Sequence, residues 1–490
     1  MELYSHLIQR LALPSVSLFT ESRFWDIYRA FFRPGSTNAL SPSAGATLHR
    51  VREVLAHAYR NVDFYRKRMD ECGLDPGSIH SLDDLQKLPP TTKSDIAAHF
   101  PDAITDASQQ YRPWRYRATS GTIERLTVVH DYRKRDTVRA AEILAVHCAT
   151  KYRPGMKYME IPPDVCRNVC GAANTVDPNI FRYALDSMLA RKLFDADVVS
   201  DLRGLAERQL LYRRLTLPSY GHEGAIQTPV VLNNYLQQIR EYRPFIVKAL
   251  PIYLYMLALH IQEHGLQPPK IPGGLVPMGS SITPHMKRVV ESAFQTPVHE
   301  DYGCAELGAI GAECGDRGGI HPFTGLFHVE VVRDGRPVQP GEVGQVLITD
   351  FFSFAMPFIR YQIGDVATVL KERCSCGLER PPLDVQGRHQ DCILAADGSI
   401  VSSDKVVDVL LKCRGVRIFR LEFHGEAGID LEIVPMPNCQ PDRDQVEAEL
   451  IQVLGRPIRI SMRTVPTILP EPGGKYRLVK NCTSTAGRLL

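Results

Sequence analysis

The chain has 490 residues, 44% of them hydrophobic and 23% charged, close to the average of globular proteins, and its length asks for two or more units rather than one ordinary core. Its 58 basic and 55 acidic residues leave a net charge of +3 with no long run of one sign, which excludes a nucleic-acid partner held by a basic surface. The twelve cysteines lack compact even spacing, so reduced thiols and a metal site fit better than a disulfide framework.

Met1 to Leu11 carries Glu2, His6 and Arg10 and has neither a basic n-region nor a small-residue cleavage site, so a cytoplasmic protein without a membrane span is expected. Leu48, Val51, Val54, Leu55 and Ala58 recur at helical spacing, and a second amphipathic helix is expected before the loop at Pro89-Pro90. Tyr116 to His130 reads as a hydroxyl-rich loop running into a strand at Leu126. Cys166 and Cys170, four apart, read as one buried helix face. Ile246 to Ile261 is the most apolar stretch. It contains Lys248, Pro251 and His260, is shorter than the roughly 20 residues that cross a bilayer, and reads as a buried helix.

Helices are expected at Asn234 to Tyr242, Pro251 to His264 and Pro284 to Phe294, with a short buried strand at Leu275 to Met278. That alternation predicts a sheet covered by helices. Hairpins follow: Leu326 to Val332, a turn at Asp334-Gly335, then Gly344 to Thr349. After Gly387 the pattern gives a helix at Ser403 to Leu411, strands at Val416 to Phe423 and Ile429 to Val434, a helix at Asp442 to Leu454 and a strand at Ile458 to Met462. The predicted fold is therefore α/β, with a large N-terminal domain of mixed sheets over 1–386 and a small α+β C-terminal domain over 387–490.

Thr119-Ser120-Gly121-Thr122 is a loop whose hydroxyls and backbone N–H groups could wrap phosphate oxygens, Gly121 allowing close approach. Alone such a run is an ordinary turn, and it gains weight from company. Downstream come Asp301-Tyr302-Gly303-Cys304-Ala305-Glu306, then Arg360-Tyr-Gln-Ile-Gly364-Asp365, Gly387-Arg388-His-Gln-Asp391 and Gly473-Gly474-Lys475. In order and spacing this set resembles the adenylate-forming superfamily, in its phenylacetate-CoA ligase branch with the capsular-polysaccharide-type relatives, over nearly the whole chain. The stretches from His57 to Arg66 and from Leu85 to Lys93 resemble that branch's N-terminal helical region.

The resemblance implies a site. Glu306 would hold Mg²⁺ against ATP phosphates, as a hard oxygen ligand suits that ion. Tyr302, beside Gly303, would stack on adenine, and Asp365 would accept from both ribose hydroxyls. Arg388 would contact ribose or phosphate where the small domain begins, with Gln390 at the hinge. Lys475, on a flexible glycine loop, would bridge the carboxylate and the α-phosphate in the transition state and is the foremost catalytic candidate. Gly279-Ser280-Ser281 would form the turn beside adenine and the acyl pocket, with His222 and Tyr253 nearby. The chain departs from the pattern at Glu124-Arg125, where an acid replaces the family's second glycine and would repel polyphosphate unless turned away or paired with Arg125.

Cys314, His321, Cys374 and Cys376 make a Cys₃His set of the kind that holds a closed structural zinc, and some family members look similar there. The implied function is ATP-dependent adenylation of a small carboxylic acid followed by acyl transfer, with coenzyme A as the family's usual acceptor. An amine, a carrier-protein thiol, adenylation of an unusual oxyanion, and a degenerate nucleotide-binding member without turnover stay open at this point. So does a homodimer.

Overall fold

A computed structural model describes residues 2–12, 43–109, 114–118, 126–163, 213–217, 226–376, 378, 380–472 and 474–483. The loop carrying Thr119, Ser120, Gly121, Thr122, Glu124 and Arg125 lies outside them, as do Cys166, Cys170, His222 and Gly473. No helix of the described residues is long and apolar enough to cross a membrane.

Helix α1 (Ala44–Asn61) buries Val51, Val54, Leu55 and Ala58 of the expected stripe, with Leu48 half-buried, and α2 (Asp63–Glu71) buries Phe64, Tyr65 and Met69. Ser43 caps α1 by accepting from the Ala46 amide at 3.3 Å. Helix α3 (Lys93–His99) opens with a capping box: the Thr92 hydroxyl accepts from the Asp95 amide at 3.0 Å and Asp95 accepts from the Thr92 amide at 2.8 Å. Strands β1 (Arg115–Ala118) and β2 (Thr127–His130) form an antiparallel ribbon, followed by α4 (Tyr132–Thr150).

A parallel sheet comes next, built from β3 (Tyr158–Ile161), β4 (Arg214–Thr216), β5 (Ile246–Ala249) and β6 (Gly274–Pro277) in the order β4-β3-β5-β6. It is covered by α5 (Pro229–Tyr242), α6 (Pro251–Glu263) and α7 (Pro284–Phe294). The expectation of one buried helix over Ile246 to Ile261 is corrected here. The β-branched Ile246 and Val247 lie in β5, and the helix starts only at Pro251, whose missing N–H is harmless at the first helical position.

The second large sheet is antiparallel throughout. It holds β7 (Asp301–Cys304), β8 (Gly308–Glu313), β9 (Ile320–Pro322), β10 (Phe327–Arg333), β11 (Arg336–Pro337), β12 (Val343–Asp350), β13 (Tyr361–Val369) and β14 (Leu383–Arg388), ordered β11-β10-β12-β13-β14-β9-β8-β7. The turn Asp334-Gly335, at φ +50 and +75, closes β10 onto the short β11 before β12 returns. α1, α2, α4, the β1–β2 ribbon and this sheet share one core.

After β14 comes a two-stranded ribbon of β15 (Ile393–Leu394) and β16 (Ile400–Val401). Helix α8 (Ser403–Leu410), strands β17 (Val416–Phe423) and β18 (Ile429–Pro435), helix α9 (Arg443–Leu454) and strands β19 (Ile460–Thr464) and β20 (Val479–Asn481) complete the chain, the strands forming a sheet in the order β19-β18-β17-β20. The last expected strand sits two residues later than its sequence pattern. α9 ends at Gly455 with φ +67, and the chain needs residues 456–459 to reach the sheet edge, where Ile460 pairs with Ile429.

Candidate active site

The loop from β7 to β8 is narrow by construction. A Cβ on Gly303 would lie 2.4 Å from the Gly308 carbonyl oxygen, so only glycine fits between Tyr302 and the acidic turn. That turn buries Glu306, which is 3% exposed. Its carboxylate accepts from the Tyr361 hydroxyl at 3.0 Å and lies 3.4 Å from the Lys93 ammonium, while its carbonyl accepts from His130 Nε2 at 2.7 Å. Burial works against the charge, yet Lys93, the backbone amide, the Cys304 thiol and Tyr361 together outweigh it and hold the carboxyl below its ordinary value. The same burial, with Glu306 beside them, pushes the Tyr361 hydroxyl and the Cys304 thiol upward, keeping both protonated as donors.

One strand over, Gly364 at φ +90 presents Asp365. Its carboxylate accepts from the Tyr302 hydroxyl at 3.0 Å and pairs with Arg388 Nε at 3.2 Å, and Arg388 Nη1 donates to the Ile363 carbonyl at 3.3 Å. Asp365 beside it raises the Arg388 pKa, and burial with Asp365 raises that of Tyr302. Tyr302 is buried in the antiparallel sheet's core with its hydroxyl engaged by Asp365. Lys248 on β5 pairs with Asp301 and ties the parallel sheet to β7.

Gly279 and Ser280 form an exposed turn just after β6, with Gly279 at φ +80. A Cβ placed there would touch Lys475 Cε at 3.6 Å and Nζ at 3.8 Å, so the Lys475 side chain lies across this turn. The Lys475 loop is closed by the Gly474 amide donating to the Glu471 carbonyl at 2.7 Å and the Glu471 amide donating to the Lys475 carbonyl at 2.8 Å. Two residues on, Arg477 binds Asp391 through Nε at 2.9 Å, joining the lysine loop to the segment that follows Arg388. Gln390 is half-buried in the short turn His389–Asp391.

Sequence reading missed Lys93, Cys304 and Tyr361 as neighbours of Glu306. The capping box at Thr92 was legible in principle and would have placed Lys93 at a helix start. Its carboxylate partner is distant in sequence and only the fold reveals it.

Away from this cluster, four metal-binding side chains converge at the β8, β9 and β13–β14 ends. Cys314 Sγ is 3.3 Å from Cys374 Sγ, Cys376 Sγ is 3.6 Å from His321 Nε2, and all four donor atoms lie within 4.8 Å of one another. A Cβ on Gly318 would meet Cys374 Sγ at 2.7 Å, so glycine is needed for this approach. Three thiols and an imidazole form a soft set that fits zinc and not magnesium.

No protein-family model matches the chain. It is 27% identical over 353 residues to a phenylacetate-coenzyme A ligase of Thermus thermophilus, covering 70% of each chain. It is 24% identical over 418 residues to the phenylacetate-coenzyme A ligase of Pseudomonas putida, covering 83% of this chain and 84% of the relative. Among solved structures it matches 2-hydroxyisobutyryl-CoA ligase in its postadenylation state with a TM-score of 0.67 at 19% identity, covering 92% of each chain. The same enzyme in its thioesterification state gives 0.54, covering 91% of this chain and 92% of that one. In sequence and in fold the chain resembles the adenylate-forming enzymes of the acyl-CoA synthetase type. Within that class, the phenylacetate-coenzyme A ligases are the relatives it resembles in sequence.

Proposed function

We propose that this chain is an AMP-forming acid–thiol ligase that activates a small carboxylic acid with ATP and passes the acyl group to coenzyme A, with arylacetic acids of the phenylacetate type as the leading substrates. The burial of Glu306 beside Lys93, the Asp365–Arg388 pair and the placing of Lys475 against the Gly279 turn together support this reading most strongly.

In the first half-reaction a carboxylate oxygen attacks the α-phosphorus of ATP, forming the acyl-adenylate and releasing pyrophosphate. In the second a thiolate attacks the acyl carbonyl and AMP leaves. Lys475, an ammonium beside the Gly279 turn, offsets charge that builds up as carboxylate and α-phosphate approach. Asp365 accepts from the ribose hydroxyls and Arg388, held by Asp365, contacts ribose or phosphate. Tyr302 and Gly303 would line the adenine side with Gly279 and Ser280, and the family resemblance assigns the phosphates to Thr119, Ser120, Gly121 and Thr122. Glu306, kept ionised in a buried place, is the ligand for Mg²⁺, which when bound would neutralise polyphosphate charge. Lys93 adds a second cation on that side.

Residues 1–386 form the nucleotide-holding domain and 387–490 a mobile one, which takes two orientations as the two named states of 2-hydroxyisobutyryl-CoA ligase suggest. Cys314, His321, Cys374 and Cys376 hold a structural zinc that ties the knuckle between β13 and β14 to β8 and β9.

Exchange of labelled pyrophosphate into ATP, run across a panel of carboxylic acids headed by phenylacetate, tests the first step, and thioester formation with coenzyme A tests the second. Exchange followed by thioester formation is expected. Absence of exchange with every acid refutes the reading, and exchange that yields product only with an amine moves the acceptor.

A further inference from the structure

Two acidic side chains on α8 meet the turn after β6 and the start of α7 without belonging to the reacting centre. Asp404 accepts a hydrogen bond from the Ser281 hydroxyl. Its other oxygen packs on the bare backbone of Gly387: a Cβ there would fall 2.9 Å from Asp404 Oδ1 and 2.5 Å from Ser403 Oγ, and Gly387 stands at φ +95. Asp408, one helical turn further on the same face of α8, accepts from the His285 backbone amide at 2.6 Å. The first-turn amides of α7 have no acceptor within their own helix; the Thr283 hydroxyl takes that of Met286 at 3.4 Å and Asp408 takes that of His285. The two carboxylates thus hold residues 281 and 285, directly after the Gly279 turn on which Lys475 lies.

We propose that Asp404 and Asp408 form a clasp that registers the segment after Gly387 onto the Gly279–Ser281 turn, positioning Lys475 for adenylation and opening before acyl transfer. The inference rests on the ligase reading given above. Three features distinguish a clasp from ordinary packing. Both bonds join the chain before Gly387 to the chain after it. One of the two carboxylates also packs on Gly387, where that segment begins, three residues before the hinge position Gln390. The acceptors are half-buried, so water can replace each bond when it opens. The clasp is reinforced by the Arg477–Asp391 pair, which holds the lysine loop to the same segment.

The test uses the full chain carrying Asp404→Ala, Asp408→Ala, or both. In hydrogen–deuterium exchange of the ligand-free protein, residues 281–290 and 474–479 should exchange about tenfold faster in the variants, since a bond to a charged acceptor is worth at least about that factor. The sheet at 343–369 should be unchanged. In single turnovers with phenylacetate and ATP, pyrophosphate release should slow about tenfold, while thioester formation from synthetic phenylacetyl-adenylate and coenzyme A should hold or quicken. Equal loss in both half-reactions, or unchanged exchange at 474–479, overturns the clasp. Should Asp404→Ala melt well below the wild type, Asp408→Ala alone carries the test. A wild type inactive on every acid counts against the ligase reading, and the exchange result then decides the clasp by itself.

Discussion

The Gly473-Gly474-Lys475 motif singles out Lys475, and its side chain against the Gly279 backbone makes it a placed charge. Lys475→Ala should lower pyrophosphate exchange by about a hundredfold or more while leaving the circular dichroism spectrum and melting temperature unchanged. A different cation is purely structural. Lys134, on α4, is buried against Asp350, donates to the Leu307 carbonyl at 3.0 Å, and shares Asp350 with the Ser353 hydroxyl at 2.7 Å. Lys134→Met strands a buried carboxylate and should cost about 3 to 5 kcal/mol in urea unfolding. His328 on β10 reports on pH. Burial, with Arg380 and Arg360 adding to it, pushes its pKa down to about 4, and its Nδ1 is buried with no hydrogen-bond partner among the described residues. The folded state keeps the ring neutral between about 4 and 6.5 while the unfolded chain binds a proton, so stability rises with pH across that window and levels off above it. His328→Leu should remove about 3 kcal/mol of that dependence between pH 7 and pH 4, read as the difference between wild-type and variant urea curves.

Elements were legible where one local rule governed them. Helix α7 and strand β17 match their expected spans residue for residue, because a proline start or a run of alternating apolar residues needs no distant partner to set its limits. The boundary at Pro251 was hidden because apolar residues continue across it, and burial on all sides erases the period that separates strand from helix. The Cys₃His cluster is an element-scale feature, since it links three strand ends. Purified protein should contain about one zinc per chain, and Cys374→Ser should lose the metal and melt at a lower temperature; a folded, metal-free wild type would refute the assignment.

At the scale of the whole molecule the parallel sheet layer and the sheet after Gly387 share one apolar core, to which the bridges Glu263–Arg417 and Ser281–Asp404 are added, while Lys248–Asp301 joins the parallel sheet to the antiparallel one. By itself the sequence carried the resemblance to the adenylate-forming enzymes, the α/β class, the spacing of Glu306, Asp365, Arg388 and Lys475, and the Cys₃His set, because fixed motifs and periodicities are local and survive without coordinates. Only the tertiary structure decided that Lys93 faces Glu306, that Tyr302 is held by Asp365, that Lys475 rests on Gly279, and that Asp404 meets both Gly387 and Ser281. Each of these is a contact between residues far apart along the chain, and no local pattern carries the position of a distant partner.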